Sequence, residues 1–337
     1  MRKTLIIANY ILAVIFACSC AKEVKLGAND DNKRFLDAWM LVNHPDKAAS
    51  GLGIFIIEDQ EGNGAQVTKD GYAIVDYTTT DLNGNISSYT SAETAMQMGV
   101  YDSTYYYGPQ VWLTKDATIQ AGVQNALTEM KVGGRRKVVI PSWLMTYSTY
   151  STAEEYLSKS TDYSNTIYDV TVVDFTTDIN NWQIDKMKEF MTVDYGGYDT
   201  FTNDTTGFYY KRLALPESDK AFGADTTIYI NYTGKLLNGL VFDTTDEVTA
   251  KNHGLYKAGK EYKPVPVAWG ENHSGITLNG SSVVSGFSLT LWHMKAGEKG
   301  VGIFYSPLGY GHSGQGASIP GYAPLVFEIE IVDKPEI

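Results

Sequence analysis

After residue 20 the sequence contains no cysteine; its two cysteines are Cys18 and Cys20. A disulfide framework is therefore excluded from the body of the chain, and stability has to come from packing. Without cysteine a zinc set would fall on the five histidines, His44, His253, His273, His293 and His312. They never pair at ligand spacing, so no metal site is expected. No long run of Lys or Arg breaks the acidic balance, and the net charge is -12. Sequence-independent nucleic-acid binding needs cations that neutralise phosphates, so no nucleic-acid partner is expected. The same charge argues against electrostatic docking on anionic lipid. There is no Gly-x-Ser-x-Gly elbow of a hydrolase. No phosphate-cradling glycine loop precedes a helix. Nothing implies a cofactor.

One apolar run is present. LIIANYILAVIFA (5–17) follows Arg2 and Lys3. It is shorter than the roughly 20 residues of a spanning helix, which predicts a signal peptide over 1–20. The ACSC that ends it resembles the lipobox of bacterial lipoproteins, where the cysteine after the cleavage point is acylated. Cys20 is the expected lipidated residue, with Cys18 the alternative. The AKE that follows weakly resembles surface-export signals of Gram-negative lipoproteins. The expectation is an exported chain held at the cell envelope by its lipid anchor alone. The outer membrane, at its periplasmic or surface face, is the expected place.

With 337 residues the chain is long enough for two domains. Its hydrophobic fraction of 43% lets each of them bury a core. The halves repeat one another. GYAIVDYTTTDLNGN (71–85) matches TTIYINYTGKLLNGL (226–240), GVQNALTEMKVGG (122–134) matches GFSLTLWHMKAGE (286–298), and IYDVTVVDF (167–175) matches VFEIEIVDK (326–334). Each unit has a helical prelude with an apolar stripe. The stripes are Phe35, Leu36, Trp39 and Met40 in the first, and Trp182, Met187, Phe190 and Met191 in the second. A linker is expected over 21–31, one domain over 32–177 and the other over 178–337. Within each, the pattern reads strand, strand, short helix, strand, long loop, strand. The helices are expected to end at Gly133 and Gly297. Strands outnumber helices and no βαβ rhythm occurs, so the fold class is α+β with antiparallel sheets.

The second unit resembles FKBP-type peptidyl-prolyl isomerases over roughly 205–334, and the first unit more faintly over 50–175. NYTGKLLNGLVFDTT supplies the family's Tyr, Gly, Gly and Phe-Asp as Tyr232, Gly234, Gly239, Phe242 and Asp243, with Asn238 for the usual Asp. VVSGF supplies Val283, Val284, Gly286 and Phe287, where the family usually has Trp at the last position. Met294, Gly297, Glu298, Gly309, Tyr310 and Gly311 follow without a gap, then Ile319-Pro320 and Phe327 in LVFEIEI. The resemblance implies two domains, each a bent antiparallel sheet, or half-barrel, wrapped around a short helix and preceded by another helix.

It also implies a chemistry. Rotation about an X-Pro bond needs no nucleophile or metal, only an apolar site that favours the twisted amide. By resemblance Tyr232, Phe242, Asp243 and Tyr310 carry catalysis. Val283, Val284, Phe287, Ile319 and Phe327 bind substrate, with Phe287 as the floor. The implied partners are proline-containing polypeptides, with macrolide inhibitors of the rapamycin class as ligands of the same pocket. Gly309 and Gly311 would let the backbone turn so that the Tyr310 hydroxyl meets a substrate carbonyl. The segment after Asp243 is longer than in the family, and KPVPVAWG and GITLNG compete for its strand. The first unit reads as a degenerate copy: Tyr77 is kept, but Ser87-Ser88 replace Phe-Asp and Val123 stands at the floor. The alternative reading is a non-catalytic FKBP-like binding or chaperone lipoprotein.

Overall fold

The computed structural model describes residues 29–160 and 163–335. The predicted signal peptide, Cys18 and Cys20 lie outside them. Among the described residues no helix is long and apolar enough to cross a membrane.

Two antiparallel sheets carry the chain. The first contains β1 (Phe55–Gln60), β2 (Tyr72–Thr80), β3 (Ile86–Tyr89), β4 (Gln110–Leu113), β5 (Arg135–Ile140) and β6 (Thr166–Thr176). Its order is β1-β5-β6-β2, and β3 and β4 share the outer edge of β2. The second contains β7 (Thr202–Thr205), β8 (Phe208–Ala214), β9 (Thr227–Leu236), β10 (Val241–Thr244), β11 (Val265–Ala268), β12 (Thr277–Leu278), β13 (Ser281–Ser282), β14 (Lys299–Phe304) and β15 (Leu325–Val332). Here β8-β14-β15-β9 repeat that order, and β10 and β11 share the outer edge of β9. Strand β7 extends one end, and β12 and β13 the other. The register repeats too: Tyr77 lies opposite Val170, and Tyr232 opposite Ile329.

The helices are α1 (Asp30–Asn43), α2 (Ala92–Gln97), α3 (Ala121–Leu127), α4 (Ala153–Lys159), α5 (Ile179–Tyr195), α6 (Glu247–Asn252) and α7 (Ser285–Trp292). Helices α3 and α7 are the short helices of the repeat, each built into its unit's apolar core. Both stop earlier than the glycines predicted. Thr128 ends α3 and His293 ends α7. Gly133 (φ +85°) and Gly297 (φ +71°) instead take left-handed positions in the turns that lead into the next strand. Close packing of α7 on the sheet depends on bare glycine. A Cβ at Gly286 would run into the Phe304 ring, and one at Gly302 into Thr290.

The second sheet is covered on both faces. Leu325, Phe327, Ile329 and Ile331 face the α7 side, as the period of two requires. Val326 faces the other way with Val301 and Ile303, under Met187 and Met191 of α5. Helix α5 is capped by Asp178, whose side chain accepts from Asn181 N, and ends at Gly196 (φ +77°). Its buried face is Ile179, Gln183, Met187 and Met191. Trp182, expected in that stripe, is only partly covered and donates through Nε1 to Asp174 (2.8 Å). In α1 only Leu36 and Met40 are buried, and Phe35 points to solvent. Glu298 is fully buried and accepts from Arg212 Nε (2.9 Å), the Tyr210 hydroxyl and Lys295 N (3.1 Å). That carboxylate ties β8 to the turn before β14.

Candidate functional site

The hairpin β9–β10 brings Tyr232 beside Asp243. The Tyr232 hydroxyl donates to Asp243 Oδ2 (2.6 Å), and Tyr232 N donates to Thr245 Oγ1 (2.9 Å). Burial first, and the Asp243 charge second, push the Tyr232 hydroxyl above its ordinary range, so it stays a donor. The Asp243 side chain is about half exposed, and Lys260 Nζ approaches its other oxygen at 3.8 Å.

Phe242, one residue before Asp243, crosses Phe327 edge-on (5.6 Å, 75°). Both rings lie over Gly234, where a Cβ would collide with each of them. Phe327 also meets Phe287 edge-on (5.0 Å, 84°) and stacks on Phe304 (5.9 Å, 3°). Phe287 in turn meets Tyr232 (5.6 Å, 83°). Edge-to-face rings at these separations are mutually attractive, which holds the aromatic wall in one arrangement. Phe287 comes from the first turn of α7, and Val283 and Val284 from the segment entering that helix.

Tyr310 and Ile319 come from the loop between β14 and β15. Ser306 N donates to Gln183 Oε1 of α5 (2.7 Å), which holds the start of that loop. Gly311 takes φ +61°, a left-handed position suited to glycine. Gly309 does not; its φ of -117° and ψ of -119° lie outside the usual helical and extended regions. Gly311 N reaches Ser306 O (2.8 Å), and Gln315 and Ile319 bond each other through both backbone pairs (2.8 and 3.2 Å). The loop thus closes on itself and directs Tyr310 and the buried Ile319 inward. Burial, then the Asp243 charge, raises the Tyr310 hydroxyl above its usual value.

Together these side chains surround one cavity of about 380 Å³. Tyr232, Phe242, Asp243, Val283, Val284, Phe287, Tyr310, Ile319 and Phe327 all line it. Leu278, Ser282, Gln315 and Ser318 complete the lining and were not expected. The two competing segments of the insertion both form strands, β11 against β9 and β12 against β11. Only Leu278 of β12 reaches the cavity. Trp269 is buried elsewhere, stacked on Trp292 (5.5 Å, 14°) and beside Phe222 (4.9 Å). The alternation of β12 puts Leu278 on the cavity face, a signal present in GITLNG but weak over two residues.

The first unit keeps the hairpin and changes the side chains around it. The Tyr77 hydroxyl meets Ser88 Oγ (3.2 Å), as Tyr232 meets Asp243. Thr79 stands where the second unit has Gly234, and its hydroxyl bonds Ser87 Oγ (2.8 Å). Trp112 lies opposite Ala73 in the register that Val267 holds opposite Ile228. Its indole packs on Tyr77 (4.8 Å) and Tyr168 (6.3 Å), and Tyr168 is the counterpart of Phe327. Val123 is buried in the core.

Residues 219–332 match the family of FKBP-type peptidyl-prolyl cis-trans isomerases. The resemblance read from the motifs of the second unit is thereby shown for that segment. A probable FKBP-type isomerase of Haemophilus influenzae is 31% identical over 137 residues, covering 41% of this chain and 46% of the relative. An FKBP-type 22 kDa isomerase of Escherichia coli is 33% identical over 106 residues, covering 32% and 40% respectively. The chain spans less than half the length of these two curated relatives. A crystal structure of the three FKBP domains of a wheat protein aligns over 83% of this chain and 94% of its own at 17% identity and a TM-score of 0.30. The α+β fold stands on the strand order and registers given above.

Proposed function

We propose that the second unit, 178–337, is a peptidyl-prolyl cis-trans isomerase acting on X-Pro bonds of exported polypeptides. In this reading 32–177 is its degenerate companion, and Cys20 anchors the chain in the cell envelope. The observation that carries the catalytic reading is the convergence of Tyr232, Phe242, Phe287, Phe327, Ile319 and Tyr310 on one apolar cavity with Asp243 at its rim.

Amide rotation faces a barrier of roughly 18–20 kcal/mol because resonance is lost at the twisted geometry. Uncatalysed X-Pro exchange takes tens of seconds or more. The twisted amide has less charge separation than the planar one. An apolar, water-poor cavity therefore stabilises it more than the ground state, and that difference lowers the barrier. The aromatic wall of Phe242, Phe287 and Phe327 receives the pyrrolidine ring. Tyr310 supplies a protonated hydroxyl to a substrate carbonyl. Asp243 holds the Tyr232 hydroxyl in place, so the polar edge is fixed before substrate arrives. A rapamycin-class macrolide would fill the same cavity.

The test is a cis/trans exchange assay of the full chain on a short X-Pro peptide, by NMR line exchange or protease-coupled absorbance. Catalysed exchange that a rapamycin-class macrolide suppresses supports the reading. Exchange at the uncatalysed rate overturns it and leaves a binding module. Acylation is tested by mass spectrometry of the mature chain; a mature chain lipidated at neither Cys20 nor Cys18 sinks the anchor.

A further inference from the structure

The first unit reaches the loop that carries Tyr310 and Ile319. Between α2 and β4 it extends the segment 98–109, which holds Tyr101, Tyr105, Tyr106 and Tyr107. Tyr106 N donates to Ala317 O (2.8 Å), and the Tyr106 ring packs on the core of the second unit. Tyr72 of β2 meets Tyr322 edge-on (5.5 Å, 76°). Between the units lies a second cavity of about 500 Å³, lined by Tyr89, Tyr105 and Tyr107 on one side and Gly316, Ala317 and Pro320 on the other.

The same short loop serves both cavities. Gln315, Ser318 and Ile319 line the pocket of the second unit, while Gly316, Ala317 and Pro320 line the cleft between the units. Neighbouring residues of 315–320 thus line one space or the other. An extended chain advances about 3.3 Å per residue, so a few residues beyond the pocket would span the width of this short loop.

We propose that this tyrosine-lined cleft is a second binding subsite, which holds the residues flanking the prolyl bond of an extended polypeptide. The proposal rests on the isomerase reading of the neighbouring pocket for its register. The chemistry of the cleft selects the occupant. No Lys, Arg, Asp or Glu lines it, so neither an anionic nor a cationic ligand finds a counter-charge there. Tyrosine offers a broad apolar face and one hydroxyl at small entropic cost, which suits sequence-tolerant contact with apolar and aromatic side chains. Tyr101 stacks on Tyr107 (5.3 Å, 19°), and Asp102 N donates to the Tyr107 hydroxyl (3.1 Å), so this wall is ordered before a ligand arrives. Tyr105 is about half exposed (47%), and Val100 beside it more so (54%). The degenerate first unit thus lengthens the grip on substrate.

The experiment compares two peptides on the full chain by fluorescence anisotropy. One has about four residues around X-Pro; the other has about twelve, extended with Leu and Phe on each side of the proline. Wild type is expected to bind the longer one about tenfold tighter. Tyr105→Ser, and separately Ala317→Arg, which puts a long cationic side chain at an exposed lining position of the cleft, should each remove about three- to tenfold of that preference. Melting curves confirm that both variants are folded. A longer peptide bound no tighter by wild type, or a preference untouched by both variants, overturns the proposal. If wild type binds the longer peptide with the cleft-dependent preference but exchanges neither peptide, the isomerase reading fails and the subsite stands.

Discussion

The Tyr232 hydroxyl donates to Asp243 at 2.6 Å across the β9–β10 hairpin, eleven residues apart in sequence. The first unit repeats that spacing with Tyr77 and Ser88 at 3.2 Å. The hairpin geometry is therefore common to both units. What differs is the charge on the acceptor and the ring beside it. Phe242 lies over a bare Gly234, whereas Ser87 bonds a Thr79 that has grown into that space. The two substitutions suit each other, because Thr79 would not fit beneath a phenylalanine ring.

If turnover depends on shape and exclusion of water, Phe242→Ala should be the most damaging of three pocket variants. It removes apolar wall and lets water reach the twisted amide. Asp243→Ala should rank second, since it frees the Tyr232 hydroxyl without opening the wall. Tyr310→Phe keeps the wall and loses one hydrogen bond of roughly 1 kcal/mol, a slowing of about fivefold. Exchange rates on a short X-Pro peptide, with melting temperatures measured in parallel, check the ranking. A folded Phe242→Ala chain with undiminished turnover would place the chemistry elsewhere.

The first unit should contribute no turnover of its own. Trp112 packs against Tyr77 and Tyr168, the counterparts of the cavity-lining Tyr232 and Phe327. The full chain carrying Phe242→Ala together with Tyr310→Phe should therefore exchange X-Pro peptides at close to the uncatalysed rate. Substantial residual catalysis in that folded double variant would assign activity to the Tyr77 side.

Gly286→Ala should destabilise the second unit by about 1–3 kcal/mol, the usual cost of overpacking. The added methyl has Phe304 in its path, and that ring is fully buried and stacked on Phe327. Either α7 lifts from the sheet or the aromatic wall shifts. Denaturant unfolding reads the loss, and a weaker affinity for substrate should accompany it. An unchanged midpoint would show that the helix does not sit this close to β14.

Acid should weaken the second unit partly through Glu328. Burial pushes this carboxyl up, but hydrogen bonds from Lys235 (2.9 Å) and the Tyr195 hydroxyl (2.8 Å), with the Lys235 charge, hold it below its usual range. A carboxyl lowered in the folded state stabilises above its unfolded value of about 4.3, and that stability is lost as pH falls through the folded value. Glu328→Gln should lower stability at pH 7 by about 1 kcal/mol and flatten the decline below about pH 5. Urea melts of both proteins across that range test it; parallel curves would refute the assignment.

Much of this architecture was legible in the residues themselves. The core succession of strand, strand, short helix, strand, loop and strand in each unit follows from strand alternation and the repeat, while β3, β4, α2 and α4 in the first unit and β7, β10 to β13 and α6 in the second go beyond it. The positions of Tyr232, Phe242 and Asp243 were legible too, because spacing along a β-hairpin is set locally. The apolar stripe of α5 was only half legible. Met187 and Met191 are buried as periodicity requires, but Trp182 is only partly covered, and the neighbouring Gln183 is buried instead and accepts from Ser306 N.

Other features were decided by contacts between residues far apart in the chain. Leu278, not Trp269, reaches the cavity because β12 pairs with β11 in a register that two residues of sequence cannot specify. Trp112 packs on Tyr77 and Tyr168 because β4 lies against β2 in the place β11 takes against β9. The cleft beside Ala317 exists because Tyr106, more than two hundred residues earlier, bonds its carbonyl. Local periodicity assigns each side chain to a face. It does not say which distant side chain shares that face, and packing supplies the answer only once the sheets have closed on their helices.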